Sequence, residues 1–150
     1  MSDGDEVNED PRLALPKWRN ACLDGRMKAP LSVLGTPLQS CSLDPLTGWF
    51  RDGCCNTDDA DRGSHTVCAT LTRDFLEYLR DKGNDLITPR PEHGFKGLAP
   101  GDSWCVCAAS WRQAHEAGLG CPVKLESTHA AALSIVSLSA LMEHAIAAEA

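Results

Sequence analysis

The chain has 150 residues, 43% of them hydrophobic and 23% charged, which fits one globular domain able to bury a core without disulfide staples and excludes a disordered chain. Its net charge of −7 opposes the basic face that a nucleic-acid partner requires. No apolar run reaches the eighteen or so residues of a membrane span, so neither nucleic acid nor membrane is expected as a partner.

Residues 1–10 hold five acids (Asp3, Asp5, Glu6, Glu9, Asp10) and no base. That composition predicts a solvated tail and matches neither a secretory signal nor a transit peptide, so a cytoplasmic, reducing setting is expected. Residues 11–30 are basic through Arg12, Lys17, Arg19, Arg26 and Lys28, with Pro16 and Gly25 interrupting any long helix. Residues 1–30 are therefore read as a flexible acidic tail and a basic arm, and 31–147 as the globular domain.

Asp44-Pro45-Leu46-Thr47-Gly48 predicts a turn, and the polar stretch from Trp49 to Gly63 a surface loop whose Asp58-Asp59-Ala60-Asp61 run is a solvated turn. His65–Leu71 suits a short strand. Thr72 is placed as the cap of a helix that buries Phe75, Leu76 and Leu79 and stops near Lys82, before Gly83. Asn84–Asp102 contains three prolines and three glycines, so it is expected to be irregular; its length marks it as a functional or packed loop. Trp104–Ala109 reads as a strand, Ser110 to Gln113 as a capping box opening a helix, and Val123–Glu126 as a half-buried strand. Thr128 is expected to cap a short helix containing Leu133. Ser137 opens a stronger one with Leu138, Leu141, Met142, Ala145 and Ile146 as its apolar stripe. The expected fold is α+β: one domain with a small sheet, about four helices and long irregular loops. Trp49, Trp104 and Trp111 are expected in the core.

Six of the eight cysteines fall in four clusters: Cys41, Cys54-Cys55, Cys68 three residues after His65, and Cys105-Val106-Cys107. In a strand Cys105 and Cys107 share a face, and Cys107 lies close enough to the following helix to feel its positive end. No cluster has the C-x2-4-C spacing of structural zinc or the C-x-x-C of a thioredoxin-like site. Four outcomes stay open: thiols as core packing, a metal site, dithiol exchange, or disulfides, with function or a disulfide the alternatives for Cys54-Cys55 in its polar loop. The candidate metal set is Cys54, Cys55, His65, Cys68, Cys105 and Cys107, with zinc as the candidate ion. Candidate catalytic residues are Cys54 or Cys55 as nucleophile, His65 as base and Asp52 beside it. Cys22 and Cys121 stand outside the clusters and are read as incidental; His93, His115 and His144 carry no pattern.

Several segments together resemble a known family. They include Val33-Leu34-Gly35-Thr36-Pro37-Leu38, Asp44-Pro45-Leu46-Thr47-Gly48, Arg51-Asp52-Gly53-Cys54-Cys55 and His65-Thr66-Val67-Cys68-Ala69. Gly83-Asn84-Asp85-Leu86, Pro100-Gly101-Asp102-Ser103-Trp104-Cys105-Val106-Cys107-Ala108 and Thr128-His129 complete the set. The chain resembles domain-of-unknown-function family 2237, small cysteine-rich proteins found mostly in bacteria, over about residues 31–147. Ser103 and Ser137 depart from the Arg and Pro expected there. The resemblance implies a fold and carries no activity. From the residues three functions stand as expectations: a clustered thiol site serving metal binding or dithiol redox chemistry; a non-enzymatic interaction domain that contacts a protein through the 11–30 arm or the 84–102 loop; and, third, a small hydrolase or transferase using Cys54 or Cys55 with His65 and Asp52.

Overall fold

The structure is a computed structural model, and it describes residues 21–23 and 29–146. The acidic tail and most of the basic arm lie outside the described residues. Two short strands, β1 (Val67–Thr70) and β2 (Ser103–Val106), pair antiparallel with Cys68 opposite Cys105 and Val67 opposite Val106. Three α-helices complete the regular structure: α1 (Arg73–Asp81), α2 (Ala108–Glu116) and α3 (Leu138–Glu143). The α+β expectation holds, with three α-helices among the described residues in place of about four; the remaining helical turns are 3-10, at Pro91–His93, Leu125–Ser127 and Ala130–Ser134.

Alternation along the ribbon divides the molecule. Val67, Ala69, Trp104 and Val106 face the main apolar core, which Phe75, Leu76 and Leu79 of α1, Trp111 and Ala114 of α2 and Leu141 of α3 fill from the other side. Cys68 and Cys105 lie in a second buried cluster with Cys41 and Cys55. The outer edges of the ribbon are closed by side chains: the Cys105 amide donates to the buried Thr47 hydroxyl (2.8 Å) and the Cys68 amide to the buried Thr128 hydroxyl (3.2 Å). Such bonds satisfy backbone groups that a two-stranded sheet would otherwise leave unpaired in the interior.

Local signals place most element boundaries. Thr72 caps α1, its Oγ1 accepting from the Phe75 amide at 3.1 Å, and the helix ends at Lys82 as expected. Ser137 caps α3 in the same way through the Ala140 amide. Asn84–Asp102 is irregular apart from one 3-10 turn and an Arg90–Phe95 bridge.

Four expectations need correction. The second helix begins at Ala108, not after Ser110, because Ala108 N–H donates to Ser64 O (2.9 Å) and pulls the chain out of β2; Cys107 is the N-cap. Val123–Glu126 forms only isolated bridges at Val123 before turning 3-10 at Leu125: Lys124 N–H donates to Cys68 O on one side, and Val123 exchanges bonds with His144 O and Ile146 N–H on the other. The cap of the 130–134 turn is His129, whose Nδ1 accepts from Ala131 N–H (2.9 Å), while Thr128 is buried and donates to Lys124 O. Trp111 and Trp104 are core residues, but Trp49 is 40% exposed and stacks on His65.

Candidate functional site

Six cysteines are joined as Cys22–Cys54, Cys41–Cys68 and Cys55–Cys105, spanning 32, 27 and 50 residues of sequence. Cys22 is thus a covalent anchor, not an incidental residue: its amide also donates to Leu38 O, and Ala21 bridges to Gln39. The bridges change the chemistry expected of the clusters. Cys54 and Cys55, the candidate nucleophiles, hold no thiolate while bonded, and Cys68 and Cys105 offer no metal a free sulfur. The sulfurs of Cys41, Cys55 and Cys68 do converge within 4.8 Å of one another, so the two central bridges are packed side by side in a dry cluster. Asp52 accepts from the Cys54 amide and serves as local turn structure.

Two cysteines are free, and their surroundings differ. Cys121 is buried, and burial pushes its thiol up to about 12, against smaller opposing effects from the backbone and Trp111. Cys107 is partly exposed and forms the N-cap of α2, where no side chain caps the first turn. Its position one alternation beyond Cys105 turns it toward the same side of the ribbon. A Cβ placed on Gly63 would lie 3.0 Å from the His65 ring carbon Cε1, 3.6 Å from its Nδ1 and 3.5 Å from Cys107 Sγ, so the Cε1–Nδ1 edge of the ring is turned to the gap. Ring and sulfur therefore flank one methyl-sized gap that a glycine leaves open.

The other side of His65 is fixed. Its Nδ1 lies 2.7 Å from Asp61 Oδ1, and its backbone amide donates to Asp61 Oδ2 at 2.9 Å. Thr57 donates a third bond to the same carboxylate. Asp61 is 5% exposed, so the acid run read as a solvated turn contains one buried, fully engaged carboxylate. Burial alone would raise its pKa, but the bonds from the His65 side chain, the His65 backbone and Thr57 together hold it below the usual 3.8. An ionised Asp61 at Nδ1 fixes the tautomer that leaves Nε2 as the available base. Ser64, between Gly63 and His65, adopts φ 50°, a left-handed conformation that costs roughly 1 kcal/mol or more and is secured by the Ala108 bond to its carbonyl.

Cys107 and His65 open into a cleft of about 540 Å³ that Trp49, Arg51, Arg90, His93, Trp104 and Cys105 also line. The 84–102 loop supplies one wall through Asn84, Asp85, Leu86, Arg90, His93 and Phe95, so this long connection covers the site. Arg51 lies over the Trp104 ring, 5.2 Å from its centroid. Asp85 is occupied by its own loop, accepting from the Thr88 hydroxyl and from the Ile87 and Thr88 amides.

Of the sequence-predicted residues, the fold brings His65, Cys105 and Cys107 to one cleft. It leaves Cys54 bonded to Cys22 behind it and Cys68 bonded to Cys41 in the buried cluster. Sequence reasoning missed Asp61. The signal was present as an i, i+4 Asp-His pair inside a loop, four residues apart yet on no helix. No helix among the described residues is long and apolar enough to cross a membrane. No curated protein matches the chain. The family whose sequence model matches residues 31–145 is described as an uncharacterized protein conserved in bacteria, domain-of-unknown-function family 2237, and the chain belongs to it.

Proposed function

We propose that the chain is a thiol-dependent enzyme acting on an acyl group, with Cys107 as nucleophile, His65 as general base and acid, and Asp61 orienting the imidazole. The observation that carries this reading is the Gly63 gap: one free, partly exposed thiol and one carboxylate-held imidazole flank it on the floor of a cleft. A cysteine nucleophile requires a base within reach and a third group orienting that base. Proton transfer from Sγ to Nε2, relayed through one water because the Cε1–Nδ1 edge of the ring is the one turned to the gap, would accompany attack of sulfur on the carbonyl carbon; the imidazolium would return the proton to the leaving group. Water deprotonated by the same nitrogen would then hydrolyse the thioester, releasing the carboxylic acid and the thiol.

Two further features support the assignment. The N-terminus of α2 places a positive dipole end at Cys107, which favours a thiolate and a developing oxyanion. Arg51 and Arg90 face the cleft of an otherwise acidic protein, while its Asp85 is bound to its own loop; that balance suits a substrate carrying a carboxylate or another anion.

A second reading, dithiol exchange, is favoured by Cys105 lying on the same cleft wall. Attack of the Cys107 thiolate on Cys105 Sγ would form a new disulfide and release Cys55 as thiolate, with no net change in oxidation. The three bridges support an oxidising setting for the chain over the reducing cytosol expected from its sequence.

Incubation of the oxidised protein with an activated acetate ester, followed by peptide mass analysis, tests the proposal. Acyl-thiol catalysis gives an acetyl adduct on Cys107 that turns over with water, lost in Cys107→Ala and accumulating little in His65→Ala. An unmodified Cys107, or an adduct indifferent to His65, would overturn it; conversion of the Cys55–Cys105 bridge into one that includes Cys107 would favour exchange instead.

A further inference from the structure

His115, on the last turn of α2, and His144, the residue that ends α3, carry no sequence pattern, yet their rings meet. His115 Nδ1 lies 3.0 Å from His144 Nε2, with the ring planes at 88°. Glu143 offers a carboxylate oxygen, and the three ligand atoms lie within 4.8 Å of one another.

The surroundings hold this arrangement. Trp111 stacks on His115 (5.3 Å between centroids, 6° between planes) and meets His144 edge-on at 5.3 Å. Trp111 is itself fully buried and tied by its indole N–H to Cys121 O at 3.1 Å. Gly120 makes room: a Cβ there would sit 3.1 Å from His144 Nε2 and 3.2 Å from its Cε1. The α3 end is fixed as well, because Val123 N–H donates to His144 O and Ile146 N–H to Val123 O.

We propose that His115, His144 and Glu143 form a binding site for a divalent transition-metal ion, Zn²⁺ by ligand type. Two imidazole nitrogens at about 2.0–2.1 Å from a tetrahedral zinc stand roughly 3.4 Å apart, a few tenths of an ångström beyond their present separation. Imidazole with one carboxylate suits zinc, and neighbouring ions of the series compete for the same set. Two nitrogen lone pairs cannot face each other without a proton or a cation between them, and the exposed Glu143 adds the negative charge that selects a cation. Such an ion would clamp the end of α3 to α2. The site shares no residue with the Cys107 cleft, so it stands or falls separately.

Zinc alone is the probe, titrated by calorimetry into metal-stripped, fully oxidised protein, so that the bridged cysteines cannot compete. One equivalent binds, with the melting temperature rising on loading. Affinity falls at least tenfold in His144→Gln and in Glu143→Gln, and Cys107→Ser binds like the parent. Glu143 is exposed, so its variant keeps the test meaningful should His144→Gln fold poorly. Absence of binding, binding unchanged in both variants, or binding lost only in Cys107→Ser would overturn the site; in that case the two histidines are a hydrogen-bonded pair closing the end of α2.

Discussion

The stretch from Leu31 to Thr66 and the stretch from Val67 to Ile146 solve the same problem differently. The first contains no α-helix and no ladder strand; it is turns and isolated bridges held by side-chain bonds and by half-cystines at 41, 54 and 55. The second holds β1, β2 and all three helices around an apolar core centred on Trp111, Phe75 and Val67. Covalent staples stand in the first region where the second has buried hydrocarbon. The thiol cleft lies on the seam: His65 and Asp61 come from the stapled loops, Cys107 from the packed ribbon and helix. Loops can orient a base this closely because the bridges remove the entropy that would otherwise let them wander.

The largest effects separate the two regions. Trp111→Ala in the core should cost about 3–5 kcal/mol whether or not reductant is present. Removing the Cys55–Cys105 bridge with a double serine substitution should cost about 4 kcal/mol on the chain-entropy account of a 50-residue closure, and nothing further on reduction of that bond. Denaturant unfolding with and without dithiothreitol checks both. Amide exchange sharpens the contrast, since reduction should raise exchange across 31–66 well before it reaches α1 and α2.

A smaller loss is expected at the join between regions. Thr128→Val removes the acceptor of the buried Cys68 amide, leaving that N–H unpaired, and one donor to Lys124 O, which keeps Ser127 N–H, at about 1–3 kcal/mol in chemical denaturation.

The smallest effects are in pH dependence. Burial lowers the pKa of His129 below 6.5, and its Nδ1 must be unprotonated to accept from Ala131. The unfolded chain therefore takes up that proton first, so stability should decline as pH falls below about 6.5, and His129→Gln should flatten this limb. Asp61 is depressed below 3.8, so its contribution is complete above that value and lost only as pH falls through the lower folded value. Asp61→Asn should remove that second, more acid step from a melting-temperature profile.

Much of the helical region was legible because its signals are local. Thr72 and Ser137 act as caps, and the Phe75-Leu76-Leu79 spacing buries one face of α1. The ribbon was partly legible too: alternation sends Cys105 into the buried thiol cluster and Val106 into the apolar core, and both Cys105 and Cys107 line the cleft. The stapled region was not, because pairing among eight cysteines is a long-range fact that spacing does not encode. Cys54-Cys55 illustrates the difficulty: adjacent residues bond to partners as distant as Cys22 and Cys105. Ser110 misled for a different reason. Its capping-box pattern was locally sound, but the tertiary bond from Ala108 to Ser64 O started the helix three residues earlier. That same displacement is what put Cys107 at the helix N-cap.

Cys107 and Cys121 provide the most direct test of the central claim, because both are free thiols of one folded chain and only Cys107 faces His65. Rates of alkylation by iodoacetamide at neutral pH, read peptide by peptide from the native oxidised protein, compare them internally. The account predicts that Cys107 reacts at least about a hundredfold faster than Cys121, and that His65→Ala slows Cys107 about tenfold or more while leaving Cys121 unchanged. Equal rates at the two sulfurs, or a Cys107 rate untouched by loss of the imidazole, would contradict it.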